Sequence, residues 1–243
     1  MQYKRGGKND GCAASVACFG GGFPLIFDID NKMKLNLLGD SFVARVLVKI
    51  QSSEHEYFEA NLGLSDVQVH WVCRGGVTFV GLRQDINRVP LPEAEVVFVQ
   101  GDSNGLCKKS VGEVLRDLDL LMFDVVRDAV RRGRTPPFVV VGAVKHRRPG
   151  SFTSWGKHKI NITEYNARVD AFNAGVFQKA MNFPKLMGFW EHKHVDRLGE
   201  APGALHPSDG VHLGPKGDEK FYASLRVATI HAISYLNGRI PVF

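Results

Sequence analysis

Short runs of β-branched and apolar residues alternate along this chain with segments of helical period, and no other feature restricts the fold as strongly. The runs cover residues 33–38, 67–73, 96–100, 138–144 and, more weakly, 186–190. Strands that are apolar on both faces are typical of parallel sheets covered by helices on each side. The alternation therefore predicts an α/β protein, a three-layer α/β/α sandwich around a central, mainly parallel sheet of about five strands.

Helical segments lie between these runs. Apolar residues recur every three or four positions from Val111 to Ala129, which predicts a helix with one wide apolar face. Ser110 is placed to cap this helix, with Glu113 as its reciprocal partner. The pattern predicts further helices at 42–51, at 163–181 with Thr163 as the cap, and at 215–236, where Pro215 suits a first turn.

The chain is long enough for one domain of this kind. It has 243 residues, of which 44% are hydrophobic and 23% are charged, as in ordinary globular proteins. We interpret residues 1–30, rich in Gly and small residues, as an irregular leader, and residues 31–243 as a single domain. No apolar stretch approaches the roughly 20 residues that cross a bilayer, the start of the chain lacks a signal-peptide pattern, and the four cysteines are scattered. These observations predict an intracellular, cytoplasmic protein with no membrane span.

The tripeptide Gly-Asp-Ser occurs twice, at residues 39–41 and 101–103, and each copy follows a predicted strand. In parallel α/β sheets, ligands bind at the carboxyl ends of the strands, so both serines are candidate nucleophiles. The second copy also fits the G-x-S-x-G pattern of a nucleophile elbow. A serine hydroxyl needs a base, and Asp209 and His212 lie three residues apart just before the last predicted helix. Position alone does not choose between the serines.

Together, these motifs resemble a known family. A GDS serine after the first strand (LLGDSFVARV), a Gly after the second, an Asn-bearing turn after the third and a D-x-x-H before the last helix (HPSDGVHLGPKG) look like the SGNH, or GDSL, hydrolases. The resemblance spans residues 33–236. It implies a flavodoxin-like sandwich and an esterase, lipase or carbohydrate deacetylase that works through an acyl-serine. Esterase domains of this family also occur in proteins of some retrotransposons, a setting that the basic character of the chain would suit.

The resemblance also implies roles for individual residues. It makes Ser41 the nucleophile, His212 the general base and then acid, and Asp209 the group that orients His212. Gly76, with Gly75 as the alternative, would help to bind the oxyanion through its backbone N–H. The roles would differ if Ser103 were the nucleophile of an elbow of the α/β-hydrolase kind. That fold has more strands before its nucleophile than the two that are predicted before Ser103.

The third block departs from the family pattern G-x-N-D. Strict alignment puts Ser103 where the oxyanion-binding asparagine belongs, and only a shift by one residue places Asn104 there. Both stay candidates for the oxyanion hole, and full activity, slow activity and a site that only binds stay open. We assign Asp40, in the GDS turn, and Trp155, after the fourth strand, to the substrate site, although Trp155 is equally suited to anchoring its loop.

A second class of function is suggested by charge. The net charge is +6 and the sequence pI is about 9.2, and residues 145–159 are rich in Lys and Arg without any acid. This loop either is simply solvated or binds nucleic acid or another polyanion, the latter in an SGNH-like module with weak or no catalysis. His192, His194 and Asp196 offer three metal ligands, but no fourth is evident, so we interpret them as a surface turn and expect no metal or cofactor. The expected partner of the esterase is a small-molecule, carbohydrate or lipid ester.

Overall fold

A computed structural model describes residues 32–52, 57–147, 160–193, 195 and 210–240. Asp209, Trp155, His194, Asp196 and the predicted leader at 1–30 therefore lie outside the described residues. The elements alternate in the order β1 (Met33–Gly39), α1 (Ser41–Gln51), β2 (Val67–Cys73), α2 (Phe79–Arg88), β3 (Val96–Gln100), α3 (Val111–Arg131), β4 (Phe138–Gly142), α4 (Ile162–Asn182), β5 (Met187–Trp190) and α5 (Pro215–Leu236).

The five strands form one sheet in the order β2-β1-β3-β4-β5, and every neighbouring pair is parallel. This is the flavodoxin-like order, in which the chain reverses direction across the sheet between β1 and β3. Gly39 is in register with Cys73 of β2 and with Gln100 of β3. The turns that leave these three strands therefore meet at one edge of the sheet. The predicted fold class is confirmed.

In the central strands, successive apolar side chains enter two separate cores, as the alternation of a strand requires. Leu38, Val97 and Val99 face the layer formed by α2, α3 and α4. Leu37, Val96 and Phe98 face α1 and α5. Burial on both faces explains why the strands lack an alternating polar pattern. None of the helices in the described part of the chain is both long enough and apolar enough to cross a membrane.

The start of α3 is as predicted, and that of α4 is not. Ser110 and Glu113 form the reciprocal capping box of α3. The predicted cap Thr163 of α4 is wrong, because Asn161 accepts the backbone N–H of Thr163 at 2.8 Å and the helix begins at Ile162. An asparagine oxygen at this position satisfies an N–H that has no partner within the helix.

Two further features differ from the prediction: a helix that was not predicted, and the end of a strand. The ten-residue helix α2 was missed, although Thr78 caps it and Phe79, Leu82 and Ile86 form its buried face. Strand β4 ends two residues before the predicted end. The reason is that the side-chain amide of Asn173, from α4, bonds both the N–H and the carbonyl of Val144 at 2.9 Å, so that this backbone leaves the sheet.

Candidate active site

The first GDS turn places a serine at the start of a helix. Asp40 caps α1 through its Oδ1, which accepts the backbone N–H of Phe42 at 3.0 Å, and Ser41 is the first residue of the helix. The backbone N–H of Asp40 donates to the carbonyl of Gln100, at the end of β3, at 3.1 Å. Ser41 is partly exposed. Its hydroxyl therefore lies at the N-terminus of α1, which is the positive end of the helix dipole.

Gly39 is required by the tightness of this turn. A Cβ at this position would lie 2.2 Å from Cγ2 and 2.5 Å from Cβ of Val43, which is buried in the first turn of α1. The strand thus enters the helix with no room for a side chain.

Contacts with α1 bring the His212 segment to this turn. The ring of His212 packs against Phe42, the residue after Ser41, with 6.4 Å between ring centroids. The Arg45 guanidinium donates to the carbonyl of Leu213 at 3.0 Å. Residues near the two ends of the described chain therefore meet beside the first GDS turn.

A buried ion pair also joins α1 to the start of α5. Asp218, in the first turn of α5, is 1% exposed and lies 2.9 Å from the ammonium of Lys49 in α1. Arg45 lies 3.5 Å from the same carboxylate. Removing one partner of a buried pair leaves an uncompensated charge, so this cluster holds the start of α5, and with it His212, against α1.

The turn after β2 contains Gly76, which has a φ of +73° and is exposed. A left-handed conformation of this kind favours glycine, and Gly75 is outside it. The backbone N–H of Arg74 donates to the carbonyl of Gly39 at 3.1 Å, so the second turn is tied to the first.

The second GDS turn, after β3, has a different shape. Asp102 has a φ of +72°, which redirects the chain directly after the strand. Within the described residues its carboxyl oxygens make no hydrogen bond of good geometry, although the backbone N–H groups of Phe79 and Gly105 lie near enough to lower its pKa. Burial outweighs them and raises the pKa of Asp102 to about 6.

The two candidates for the oxyanion hole differ in their surroundings. Ser103 is 5% exposed, and its hydroxyl donates to Oδ2 of Asp40 at 3.4 Å. Asn104 is partly exposed, and its amide has no hydrogen-bond partner in the described chain. The Ser103 hydroxyl thus already has an internal acceptor, whereas the Asn104 amide remains available to a ligand.

The assignment of Asp40 to the substrate site needs correction. Its side chain is 1% exposed and is bonded to Phe42 and Ser103, so it supports both turns and does not reach a ligand directly. Burial raises the pKa of Asp40 to about 7, partly offset by the Phe42 N–H and the Ser103 hydroxyl. The carboxyl is thus on the border between its neutral and charged forms near neutral pH.

Arg147 also has a role that the sequence did not indicate. The residue is 9% exposed, and its guanidinium donates to the carbonyl of Ser103 at 3.3 Å and to Sγ of Cys107 at 3.1 Å and lies 4.5 Å from the ring centroid of Tyr165. Lys145 is 7% exposed and donates to the carbonyl of His192 at 3.0 Å. The described start of the basic loop at 145–159 therefore faces the interior and supports the second GDS turn.

The interpretation of His192 as part of a surface turn is wrong, because this residue is 1% exposed and takes part in a buried hydrogen-bond chain. Trp190 Nε1 donates to the Ser224 hydroxyl, which lies 2.9 Å from Nδ1 of His192. Nε2 of His192 lies 2.7 Å from Oε1 of Gln100, whose amide nitrogen donates to the carbonyl of Ala143. Nε2 must therefore carry the proton, and burial lowers the pKa of His192 well below its usual value.

Metal binding by His192 is not favoured by this arrangement, since both ring nitrogens already have partners. Within the described residues, no three His, Cys, Asp or Glu side chains come together as a metal site. The chain of bonds instead fixes Gln100, whose own carbonyl holds the backbone of Asp40. Nothing in the sequence indicated this support, because its members are far apart along the chain.

This chain is similar to known proteins in structure but not in sequence. No protein-family model matches the sequence, and no curated protein matches it. Solved structures do match. One is a GDSL-like lipase from Bacteroides thetaiotaomicron, with 13% identity, a TM-score of 0.63 and coverage of 86% of this chain and 93% of that one.

Two further solved structures are similar to the chain over most of its length. The native aryl esterase of M. smegmatis has 12% identity and a TM-score of 0.58, with coverage of 82% of this chain and 99% of that one. A member of the lipolytic G-D-S-L family from Veillonella parvula has 13% identity and a TM-score of 0.54, with coverage of 81% and 98%. The chain therefore has the fold of the GDSL, or SGNH, hydrolases, as its two end motifs predicted.

Proposed function

We propose that this protein is a serine esterase that hydrolyses carboxylic esters of small molecules, carbohydrate and lipid esters among them. Ser41 is the nucleophile, His212 is the base and then the acid, and Asp209 orients His212. The observation that carries this proposal is the position of Ser41, a partly exposed hydroxyl at the first position of α1, with the His212 ring packed on the next residue.

The reaction proceeds in two halves. The Ser41 hydroxyl attacks the ester carbonyl as His212 takes its proton, and the tetrahedral intermediate collapses when His212 returns that proton to the leaving alcohol. Water then attacks the acyl-serine with His212 again as base. The carboxylic acid leaves, and the serine hydroxyl is restored.

The oxyanion would be held by three donors. As the first residue of α1, Ser41 has a backbone N–H with no helical carbonyl to bond, and this N–H is available to a ligand. Gly76 would contribute a second backbone N–H. We assign the third donor to the Asn104 amide, because the Ser103 hydroxyl already donates to Asp40. Such donors act where negative charge develops in the transition state.

The surroundings of Ser103 do not suit a nucleophile. Its side chain is buried, its hydroxyl donates to a carboxyl, and the buried imidazole of His192 uses both ring nitrogens elsewhere. The alternative of a polyanion-binding module gains no support from the described part of the basic loop, residues 145–147, because Lys145 and Arg147 bond groups in the interior. A charge reversal at Arg147 would disturb the second GDS turn and is therefore not a test of nucleic-acid binding.

Labelling by a fluorophosphonate tests the proposal without knowledge of the natural ester. The full chain should be labelled and the modified peptide identified by mass spectrometry. We expect one modified residue, Ser41, and loss of labelling in His212→Asn. Modification of Ser103 would reverse the assignment, and no labelling together with no hydrolysis of p-nitrophenyl acetate would refute the esterase.

A further inference from the structure

A second candidate site lies at the opposite end of the sheet from Ser41. A cleft of about 190 Å³ opens between the last turns of α2 and α3 and the starts of β3 and β4. Ile86, Leu91, Val97 and Val125 form its apolar wall. Asn36, a buried polar residue within β1, also lines it and donates to the carbonyl of Pro92 at 2.9 Å.

Arg134 is the unusual residue of this cleft. Its side chain is nine-tenths buried, and within the described residues its guanidinium has neither an ion-pair nor a hydrogen-bond partner. Nε in particular is buried without an acceptor. A guanidinium stays protonated at all physiological pH values, and a buried polar group without a partner is costly. Such a group calls for an acceptor that enters from outside the protein fold.

The acids of the cleft do not supply that acceptor. Asp124 is paired with Arg83 and Arg127, Asp128 with Arg132, and Glu93 with Lys34, so each of the three lining carboxylates already has a cation.

The two remaining cations of the lining are unmatched. Arg131 and Arg134 line the cleft without an acidic partner among the described residues. Arg131, in the final turn of α3, offsets the partly negative last carbonyls of that helix, so the charge of Arg134 is the one left without an internal counterpart. The imbalance therefore favours an anion.

We propose that this cleft binds a small monocarboxylate with a compact apolar body. The Nε and Nη of Arg134 present the planar fork that matches the two oxygens of a carboxylate, and the apolar wall would contact the rest of the ligand. The volume is below the roughly 300–1,000 Å³ of pockets for drug-sized ligands, so the ligand is small. Arg131, at the rim, would attract the charge.

Sodium benzoate is a suitable probe, with benzamide as its neutral match and inorganic phosphate as the alternative anion. Calorimetric titration of the full chain should show saturable binding of benzoate. Benzamide should bind at least roughly tenfold more weakly, because it lacks the charge-assisted bonds to Arg134. Equal binding of benzamide would overturn the proposal, and tighter binding of phosphate than of benzoate would overturn the carboxylate assignment.

Substitutions locate the binding site. Arg134→Gln should weaken benzoate binding roughly tenfold or more, and Arg131→Gln by a smaller factor. The matched control Arg116→Gln, an exposed arginine of α3 that does not line the cleft, should leave benzoate binding unchanged. If Arg134→Gln fails to fold, Arg134→Lys, which keeps the charge but not the fork, and the rim variant Arg131→Gln carry the test.

The active site needs its own control, since a carboxylate is also the proposed product of Ser41. Ser41→Ala should bind benzoate as the unsubstituted protein does. Loss of binding in Ser41→Ala with retention in Arg134→Gln would place the carboxylate at the other end of the sheet and refute this inference. Absence of any saturable binding, as expected if only water meets Arg134, would refute it as well.

Discussion

The two copies of Gly-Asp-Ser have the same three residues and follow neighbouring strands, yet they have different structures. In the first, the aspartate caps a helix and the serine begins it, partly exposed. In the second, the aspartate has a left-handed φ, the serine is buried, and ten residues separate the strand from its helix. The tripeptide therefore does not by itself make a nucleophile. The distance to the next helix start decides which serine meets the dipole.

The aspartate of the first turn also connects the two turns. The buried carboxyl of Asp40 accepts from Ser103 of the second turn, and its backbone is held by the carbonyl of Gln100. The second turn therefore supports the first, and Arg147 in turn supports the second turn by donating to the carbonyl of Ser103. Substitutions at matched positions of the two turns can test whether the first turn is catalytic and the second supports it.

The largest expected contrast is between the two serines. Ser41→Ala should lower kcat/KM for p-nitrophenyl acetate at least about 1,000-fold, because the nucleophile is lost. Ser103→Ala should lower it less than about tenfold, since only a supporting hydrogen bond is removed. Initial rates at saturating and limiting ester measure both. Comparable losses in the two variants would remove the distinction drawn here.

The amide of Asn104 should have the next largest effect. Asn104→Ala is expected to lower kcat by roughly 100- to 1,000-fold with little change in KM, as removal of an oxyanion donor does. The same rate measurements test this, with Ser103→Ala as the neighbouring control. If Ser103→Ala lost more activity than Asn104→Ala, strict alignment of the third block would be correct after all.

The two glycines should differ in stability. Gly39→Ala would put a methyl carbon 2.2 Å from Val43 Cγ2, whereas Gly101→Ala meets its nearest neighbour, a ring carbon of Phe79, at an ordinary 3.8 Å. We expect Gly39→Ala to lower the free energy of unfolding by about 1–3 kcal/mol and Gly101→Ala by less than about 1 kcal/mol. Urea titrations monitored by circular dichroism give both values. Equal losses would show that the first turn relaxes freely.

The smallest expected effect is a pH dependence. The pKa of Asp40 is raised from 3.8 to about 7 by burial, so the folded protein keeps a proton that the unfolded chain releases, and stability falls as pH rises between about 4 and 7. Asp40→Asn keeps the cap and removes this titration, so the free energy of unfolding should decline less steeply between pH 4 and 8 than in the unsubstituted protein.

The second turn supplies the matched control for this measurement. The pKa of Asp102 is raised to about 6, so its contribution should be lost between about pH 4 and 6 and be constant above that. Asp102→Asn tolerates the left-handed φ and should alter only this lower interval. If neither variant changed the pH profile, the carboxyls would not be buried as described.

Much of the architecture could be predicted from local pattern. The β-branched runs indicated five strands, the capping box marked the start of α3, and Pro215 marked the start of α5, because these signals depend on neighbours in the sequence. Helix α2 could also have been predicted from the sequence, because Thr78 can cap a helix and apolar residues with helical spacing follow it. The end of β4 could not be predicted in this way, because it is set by a side chain of α4 that lies almost thirty residues away in the sequence.

The sequence motifs were enough to name Ser41, His212 and Asp209 as candidates and to reveal an irregular third block. Packing decided the rest. The burial of Asp40, the use of Arg147 as an internal support and the unmatched guanidinium of Arg134 all depend on which distant groups lie within a few ångströms, and a linear pattern carries no such distances. Charge is a property of the residue, whereas its desolvation and its partners belong to the fold.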